Sequence, residues 1–319
     1  MVRAIKKIMR QKTILVVQGG VSGEREVSLN SGKACITALK KLKYKVISFD
    51  PAKEHLSKII KYKKKVDLIF NALHGRDGED GIAQSYFEYF KIPYTHSGII
   101  SSMNAMDKII SKKIFKKNKL ITPNYISLNS ANYKKFLKKK FPKKSNFNYP
   151  MVVKPSNEGS SIGVEISKNF DQLKKSIIKL IKNYKTLIIE NYIAGQEIQV
   201  AVIGGKALGA IELKPKRKFY DYKAKYSRSA HTKHVMPAEI NKNNYKKVLR
   251  LAEKAHQVLK CRGVTRSDFK LVNNKFYLLE INTQPGMTSL SLVPEIAKYV
   301  GITFIDLVKK IVDDASINR

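Results

Sequence analysis

Two carboxylates and an amide lie within fifteen residues of each other in VTRSDFKLVNNKFYLLEINTQPGMTSLSLVP, residues 264–294. Residues 269–272 and 275–281 are apolar-rich runs separated by Asn273-Asn274, a pattern that predicts a β-hairpin with a tight turn. An antiparallel register can bring Asp268, before the turn, and Glu280, after it, side by side at one end. Asn282 follows Glu280 by two residues, so strand alternation puts both on one face. Three oxygen donors on one face suit a hard cation such as Mg²⁺, which is usually shared with substrate phosphates. Without positive charge the two acids would repel each other. The plainer alternative is a hairpin with solvated acids and an ordinary turn. Arg266 alternates with Asp268 and can face the same place. Pro285-Gly286-Met287-Thr288 comes directly after, a tight backbone stretch whose N–H groups could meet an anion.

Other residues could contribute to such a site. Residues 150–155, PMVVKP, read as an apolar strand with Lys154 inside it, and a lysine there needs an anion or a carboxylate. The small-residue loop 156–163 comes next, with Ser160 and Ser161, and its backbone could close on phosphates. Glu190 ends one apolar run and Glu197 begins the next. Glu24, His74 and Glu79 fall in loops at the carboxyl ends of predicted strands, where ligands bind in open α/β sheets. His74 taken singly reads as a satisfied structural histidine. Lys108 lies in a helical run and, by pattern alone, reads as solvated.

The elements that would position these residues alternate between strand and helix over the first third of the chain. Strands are predicted at 13–18, 46–49 and 66–71, with helices from a cap at Asn30 or Ser31 to about residue 42, near 54–63 and at 84–90, and a short closing strand at 93–95. One helix is predicted over 101–117, with Met103, Met106, Ile109 and Ile110 at core spacing. Residues 134–144 read as an exposed, charged helix and loop. Further strands are predicted at 162–166, 187–190, 199–203 and 206–212, the last two joined by Gly204-Gly205, with helices at 171–183, 241–259 and near 304–313. Residues 213–236 form a long polar loop of the kind that makes a lid.

The chain has 319 residues, enough for two or three domains. It carries 62 Lys+Arg against 25 Asp+Glu, a net charge of +37. The lysines are spread along the whole chain without a nucleic-acid motif. The charge therefore reads as composition on solvated faces, with no specific nucleic-acid partner. No apolar run approaches a membrane span. Cys35 and Cys261 are too few for a disulfide framework and fit a reducing, cytoplasmic setting. Residues 1–12 read as a flexible basic extension rather than a secretory signal.

Taken in order, GGVSGEREVSLNSG, LHGRDGEDG, VVKPSNEGSSIGV, FYDYKAKY and RSDF…LEINTQPGMTSLSLVP resemble the D-alanine–D-alanine ligase family of the ATP-grasp superfamily, from about residue 13 to about 311. The resemblance implies an α/β chain of three domains: an N-terminal, mostly parallel α/β domain (13–102), a central ATP-grasp domain (103–190) and a C-terminal one (191–319), the last two clasping ATP. It implies ATP-dependent joining of two D-alanine molecules through an acyl phosphate for peptidoglycan synthesis, and a homodimer. Asp268, Glu280 and Asn282 would hold two Mg²⁺ (or Mn²⁺). Lys108 and Lys154 would contact the α/β-phosphates and Lys225 the γ-phosphate, with Ser161 in the loop that closes on them. Glu190 and Glu197 would bind the adenine amino group and the ribose hydroxyls. Glu24 would take the first D-alanine's ammonium, and Ser160, Tyr226 and Glu24 would link lid to substrate. Arg266 and the Gly286 N–H would stabilise the oxyanion, and Ser291 and Leu292 would meet the second substrate's carboxylate. His74 and Glu79 would stand behind these groups. Asn157, where a basic residue is frequent in the family, and Thr265 and Gln284 are departures that remove no expected ligand. A basic RNA-binding protein on a degenerate ligase fold is the contrasting reading, and it would lack metal ligands that are all present here.

In this family a Lys-Tyr pair in the lid accompanies dipeptide formation, and Lys225-Tyr226 is such a pair. Acceptor rates compared at neutral pH are therefore expected to favour D-alanine over D-lactate; a lactate preference would reject this reading of Tyr226.

Overall fold

The computed structural model describes residues 11–138, 147–214 and 232–319. Three sheets organise them. The first is parallel, in the order β2-β1-β3, with β1 at Thr13–Val17, β2 at Lys45–Phe49 and β3 at Leu68–Asn71. The middle strand β1 and its neighbour β3 are almost wholly apolar and buried, as strands covered on both faces must be. Helix α1 (Arg25–Lys41) returns from β1 and buries Cys35, Ala38 and Leu39. It starts before the expected cap. Asn30 and Ser31 lie inside it, and Ser28 turns inward, its Oγ donating to the Ala72 carbonyl (2.8 Å) and accepting the Gly19 N–H (2.7 Å).

The segment expected as a helix near 54–63 is a 3₁₀ turn, Leu56–Tyr62, whose inward residues Leu56 and Ile59 are three apart. Helix α2 (Ile82–Tyr89) comes after β3. The expected closing strand is reduced to Tyr94, which bridges Ile69 on one side and Ser316, near the chain's other end, on the other.

The single helix expected at 101–117 is two: α3 (Ile99–Met106) and α4 (Lys108–Lys117). Asp107 adopts an extended conformation between them and caps α4, its Oδ1 accepting from the N–H groups of Ile109 (2.8 Å) and Ile110 (3.1 Å). The break changes which residues face inward. Met103 and Ile110, expected in the core, are 51% and 41% exposed, whereas Lys108, Lys112 and Phe115 are buried.

The second sheet has the order β4-β7-β5-β6, all antiparallel: β4 (Tyr125–Asn129), β5 (Met151–Pro155), β6 (Glu165–Ser167) and β7 (Thr186–Asn191). Strand β6 starts later than expected because Ser160, Ser161 and Gly163 all have positive φ, which no strand accommodates. After the short helix α5 (Tyr133–Lys138), helix α6 (Phe170–Ile181) covers this sheet with Leu173, Ile177 and Leu180. The rest of the charged run, 139–144, lies outside the described residues.

The third sheet, order β10-β9-β8-β11-β12, is antiparallel: β8 (Gln196–Ile203), β9 (Lys206–Lys214), β10 (Lys233–Val235), β11 (Val264–Val272) and β12 (Lys275–Asn282). Gly204-Gly205 and Asn273-Asn274 both take left-handed φ values, which match the twist of a two-residue hairpin turn. Helix α7 (Lys242–Val258), capped by Asn241, packs on this sheet. The long polar loop is shorter than expected. Lys214 and Lys233–Val235 belong to the ladder, and residues 215–231, which include Lys225 and Tyr226, lie outside the described residues.

Helix α8 (Leu292–Tyr299), not anticipated from the sequence, and the expected α9 (Phe304–Asp313) close the chain. Their apolar faces join Val16, Leu39 and Phe70 of the first unit and Ile211 and Leu213 of the third in one core. The first and third sheets are thereby fixed to each other through packed side chains. No helix among the described residues is long and apolar enough to cross a membrane.

Candidate active site

The expected hairpin is present, and Asp268 faces Glu280 directly in its register, as Arg266 faces Asn282. One residue disturbs the ladder. Asp268 pairs with Glu280 but Phe269 pairs with Leu278, so Leu279 is an extra residue on β12. Such a bulge re-aims side chains. Phe276, Leu278 and Ile281 point into the core, while Leu279 and Glu280 both reach the opposite face. On β11 Arg266, Asp268 and Lys270 alternate on that face, and β8 brings Glu197 opposite Lys270.

Each acid on this face meets a cation. The Arg266 guanidinium donates from Nε and Nη2 to the two Asp268 oxygens at 2.8 and 3.0 Å. Lys108 Nζ lies 3.3 Å from Glu280 Oε2 and donates to the Glu158 carbonyl at 2.6 Å. Lys270 donates to Glu197 at 2.8 Å. Glu190, buried on β7, lies between two ammonium groups, Lys112 at 3.0 Å and Lys154 at 2.9 Å. Burial alone would push the Glu190 carboxyl upward, but the two lysines outweigh it and hold it below its ordinary range. Burial draws Lys112 down to about 8 against the pull of Glu190. For Lys154 the same burial is overcome by Glu190 and Glu280, and its net shift is upward. Lys108, which by pattern alone read as solvated, is thus a buried member of the site.

Two adjoining clefts result. One, about 830 Å³ including space open to solvent, is lined by Lys108, Lys154, Ser161, Glu190, Glu197, Asp268 and Glu280, with an apolar wall that includes Val152, Ile162 and Ile193. The other is lined by Glu24, His74, Glu79, Ser160, Arg266, Glu280, Asn282 and Gly286. Glu280 belongs to both.

Glu24 stands at the start of α1, where Ser160 Oγ donates to its Oε1. A side chain at Gly159 or Gly75 would put a Cβ 2.6 or 2.8 Å from Glu24 Oε2, so both glycines let backbone approach this carboxylate. The loop before α1 is held by Asp50, which accepts from Arg25 Nη2 (2.7 Å), Arg25 Nη1 (3.0 Å) and the Gly20 N–H (3.0 Å). His74 is buried, with Nδ1 at 3.0 Å from the Gln284 carbonyl and Nε2 at 2.9 Å from Ser31 Oγ. Burial lowers its pKa, but the charges of Glu79, 3.7 Å away, and Glu24 more than restore it, and the net shift is upward. Burial in turn raises the Glu79 carboxyl. Ser291 caps the turn after Gly286, its Oγ accepting the Thr288 N–H at 3.0 Å. A Cβ on Gly286 would come within 2.8 Å of that hydroxyl. The Leu292 side chain is buried in the core, which leaves its backbone as the part able to meet a ligand.

Three residues here were not picked out from the sequence. Lys112 is one helical turn from Lys108, and that i, i+4 spacing was the available signal. Lys270 continues the alternation of Arg266 and Asp268. Gln284 ties the first unit to the third: it accepts from Asn71 Nδ2 at 2.7 Å and donates to the Leu73 carbonyl, bonds that span more than two hundred residues and leave no local signature.

Comparison with known proteins decides the family. A profile described as D-ala D-ala ligase C-terminus matches residues 114–313, and one described as D-ala D-ala ligase N-terminus matches residues 50–97. The chain belongs to the D-alanine–D-alanine ligase family. It is 54% identical to the D-alanine--D-alanine ligase of Pelagibacter ubique over 308 residues, 97% of this chain and 99% of the relative. It is 43% identical to that of Rickettsia typhi over 96% of this chain and 92% of the relative. Among solved structures, a D-alanine--D-alanine ligase from Bacillus anthracis complexed with ATP has a TM-score of 0.82 at 31% identity, covering 95% of this chain and 97% of that one. The VanG D-Ala:D-Ser ligase of Enterococcus faecalis has a TM-score of 0.83 at 27% identity, covering 95% and 99%. The three sheets are accordingly those of the three-domain ATP-grasp fold that D-alanine–D-alanine ligases share.

The Arg25 hydrogen bonds hold the Asp50 carboxyl down to about 2 against an ordinary 3.8. A depressed carboxylate stabilises the fold above its unfolded value and loses that contribution as pH falls through the folded one. The stability difference between the unaltered protein and Asp50→Asn, measured by urea unfolding from pH 6 downward, is expected to be full above pH 4 and to shrink toward pH 2. A pH-independent difference would contradict it.

Proposed function

We propose that the protein joins two D-alanines to D-alanyl-D-alanine at the expense of ATP, through an acyl phosphate, for peptidoglycan synthesis. The observation that carries this is the pair of clefts meeting at Glu280. A nucleotide in the first and an amino acid in the second would bring a γ-phosphoryl and a carboxylate together beside that residue. Phosphoryl transfer needs positioning and charge neutralisation more than covalent help, and this face supplies both.

Lys108 and Lys154 meet the α/β-phosphates, with Ser161 in the loop over them and Lys225 brought from the lid to the γ-phosphate. Glu197 takes the ribose hydroxyls. Glu190 serves the adenine end, with both of its oxygens already held by lysines. Asp268, Glu280 and Asn282 are the residues for two Mg²⁺ or Mn²⁺ ions. Among the described residues no group of three or more His, Cys, Asp or Glu forms a metal cluster, and this set, two carboxylates and an amide, is instead an oxygen site of the kind hard cations take. Those ions would neutralise the charge developing on the phosphates; to bind Asp268 they must compete with Arg266 for its oxygens.

Glu24, oriented by Ser160 and reached by Tyr226, holds the first D-alanine's ammonium, with His74 and Glu79 behind it. Arg266 and the Gly286 N–H face the oxyanion as the second amine attacks, and Ser291 with the Leu292 N–H receives the second carboxylate. The proposed domain limits, 13–102, 103–190 and 191–319, are supported by one sheet in each, although β7 runs one residue past the second limit, the tail packs on the first unit, and Ala105 and Phe115 pack into the core of the third sheet. A homodimer and a cytoplasmic setting complete the proposal.

In a coupled assay of ADP release with D-alanine, ATP and Mg²⁺, Glu280→Gln is expected to abolish turnover while leaving the melting temperature largely unchanged. Arg266→Ala is expected to lose ~10²-fold or more, the scale of an oxyanion donor. Unchanged turnover in Glu280→Gln would overturn the assignment.

A further inference from the structure

Lys112 has no part in the chemistry above, yet its side chain has no exposure to solvent. A buried ammonium persists only where partners repay its lost hydration. Its partners come from two other elements. Glu190 of β7 lies 3.0 Å away, and the carbonyl of Leu279, the extra residue of the β12 bulge, accepts from it at 3.2 Å. Lys154 takes the other Glu190 oxygen at 2.9 Å and lines the first cleft, whereas Lys112 stands behind it. Around the cleft floor Lys108, Lys112 and Lys154 face Glu190 and Glu280, so three ammonium groups meet two carboxylates and one positive charge is left over. Without Lys112 the same groups would balance, and Glu190 would belong to Lys154 alone.

We infer that Lys112 is a positioning residue: it neutralises Glu190 from behind, so that the charge of Lys154 remains directed at the nucleotide's phosphates, and it anchors the bulge that aims Glu280. This rests on the reading of the first cleft as the nucleotide site. Lys112 touches no ligand, and its effect travels through Glu190, Lys154 and the Leu279 backbone.

Calorimetric binding of ADP and of adenosine to the full chain separates charge from mere packing. In Lys112→Met, ADP affinity is expected to fall about tenfold, the scale of one unit charge acting through partly screened protein, while adenosine, which has no phosphate and meets Glu190 only through its base, loses clearly less. Lys112→Gln keeps a donor for Leu279 but no charge; it is expected to show the same loss for ADP, and it carries the test if the methionine variant does not fold. In turnover, KM for ATP is expected to rise more than kcat falls. Equal losses for ADP and adenosine, or unchanged ADP affinity in either variant, would overturn the inference. Failure of the unaltered protein to bind either probe would instead overturn the reading of the cleft itself.

Discussion

Two carboxylates on neighbouring strands, directly opposite and largely withdrawn from water, repel each other unless positive charge is placed beside them. The register that sets Asp268 against Glu280 creates this problem, and much of the surrounding structure answers it. Arg266 comes from the same strand as Asp268, Lys108 from the first turn of α4, Lys154 from β5 at the cleft wall, and Lys112 from behind Glu190. The site is a field of alternating charges held at short range in a partly dry cleft. Such an arrangement can receive a polyanion and its cations once Arg266 yields part of its hold on Asp268.

The scaffold exists to keep those charges in place. Three sheets, each with its own helices, supply one wall apiece, and their relative positions rest on contacts that cross between them. The core shared by α1, α8 and α9 joins the first and third sheets, and Gln284 adds a polar tie from the strand end at Asn71 to the loop before Gly286. Asp107 has a comparable role on the other side. By ending α3 and capping α4 it turns Lys108 toward the cleft and Lys112 into the protein behind it, instead of toward solvent.

What the chain reveals without a structure depends on how local the cause is. The hairpin turns at Gly204-Gly205 and Asn273-Asn274 and the parallel first sheet depend on neighbours in sequence or on the alternation of elements, and both were legible; the pairing of Asp268 with Glu280 was legible only as proximity, because a regular two-residue hairpin sets Asp268 against Leu279 and the bulge supplies the one-residue shift. The burial of Lys108 was not legible, because an amphipathic pattern cannot register a break placed by Asp107 and a carboxylate supplied by a strand far along the chain. The start of α1 was misread for a related reason: Asn30 and Ser31 look like caps but lie inside the helix, where Ser31 gives its hydroxyl to His74, a contact that only the fold creates. The bulge at Leu279 was invisible as well, since Leu-Leu-Glu reads equally well in either register.

The account stands on a divalent cation meeting Asp268, Glu280 and Asn282 beside the nucleotide's phosphates. Anomalous scattering from crystals grown with ADP and Mn²⁺ tests this most directly. Manganese density within coordination distance of those three side chains, with Arg266 drawn off at least one Asp268 oxygen, is the predicted result. Nucleotide bound in the first cleft with manganese elsewhere, and Asp268 still fully held by Arg266, would contradict it.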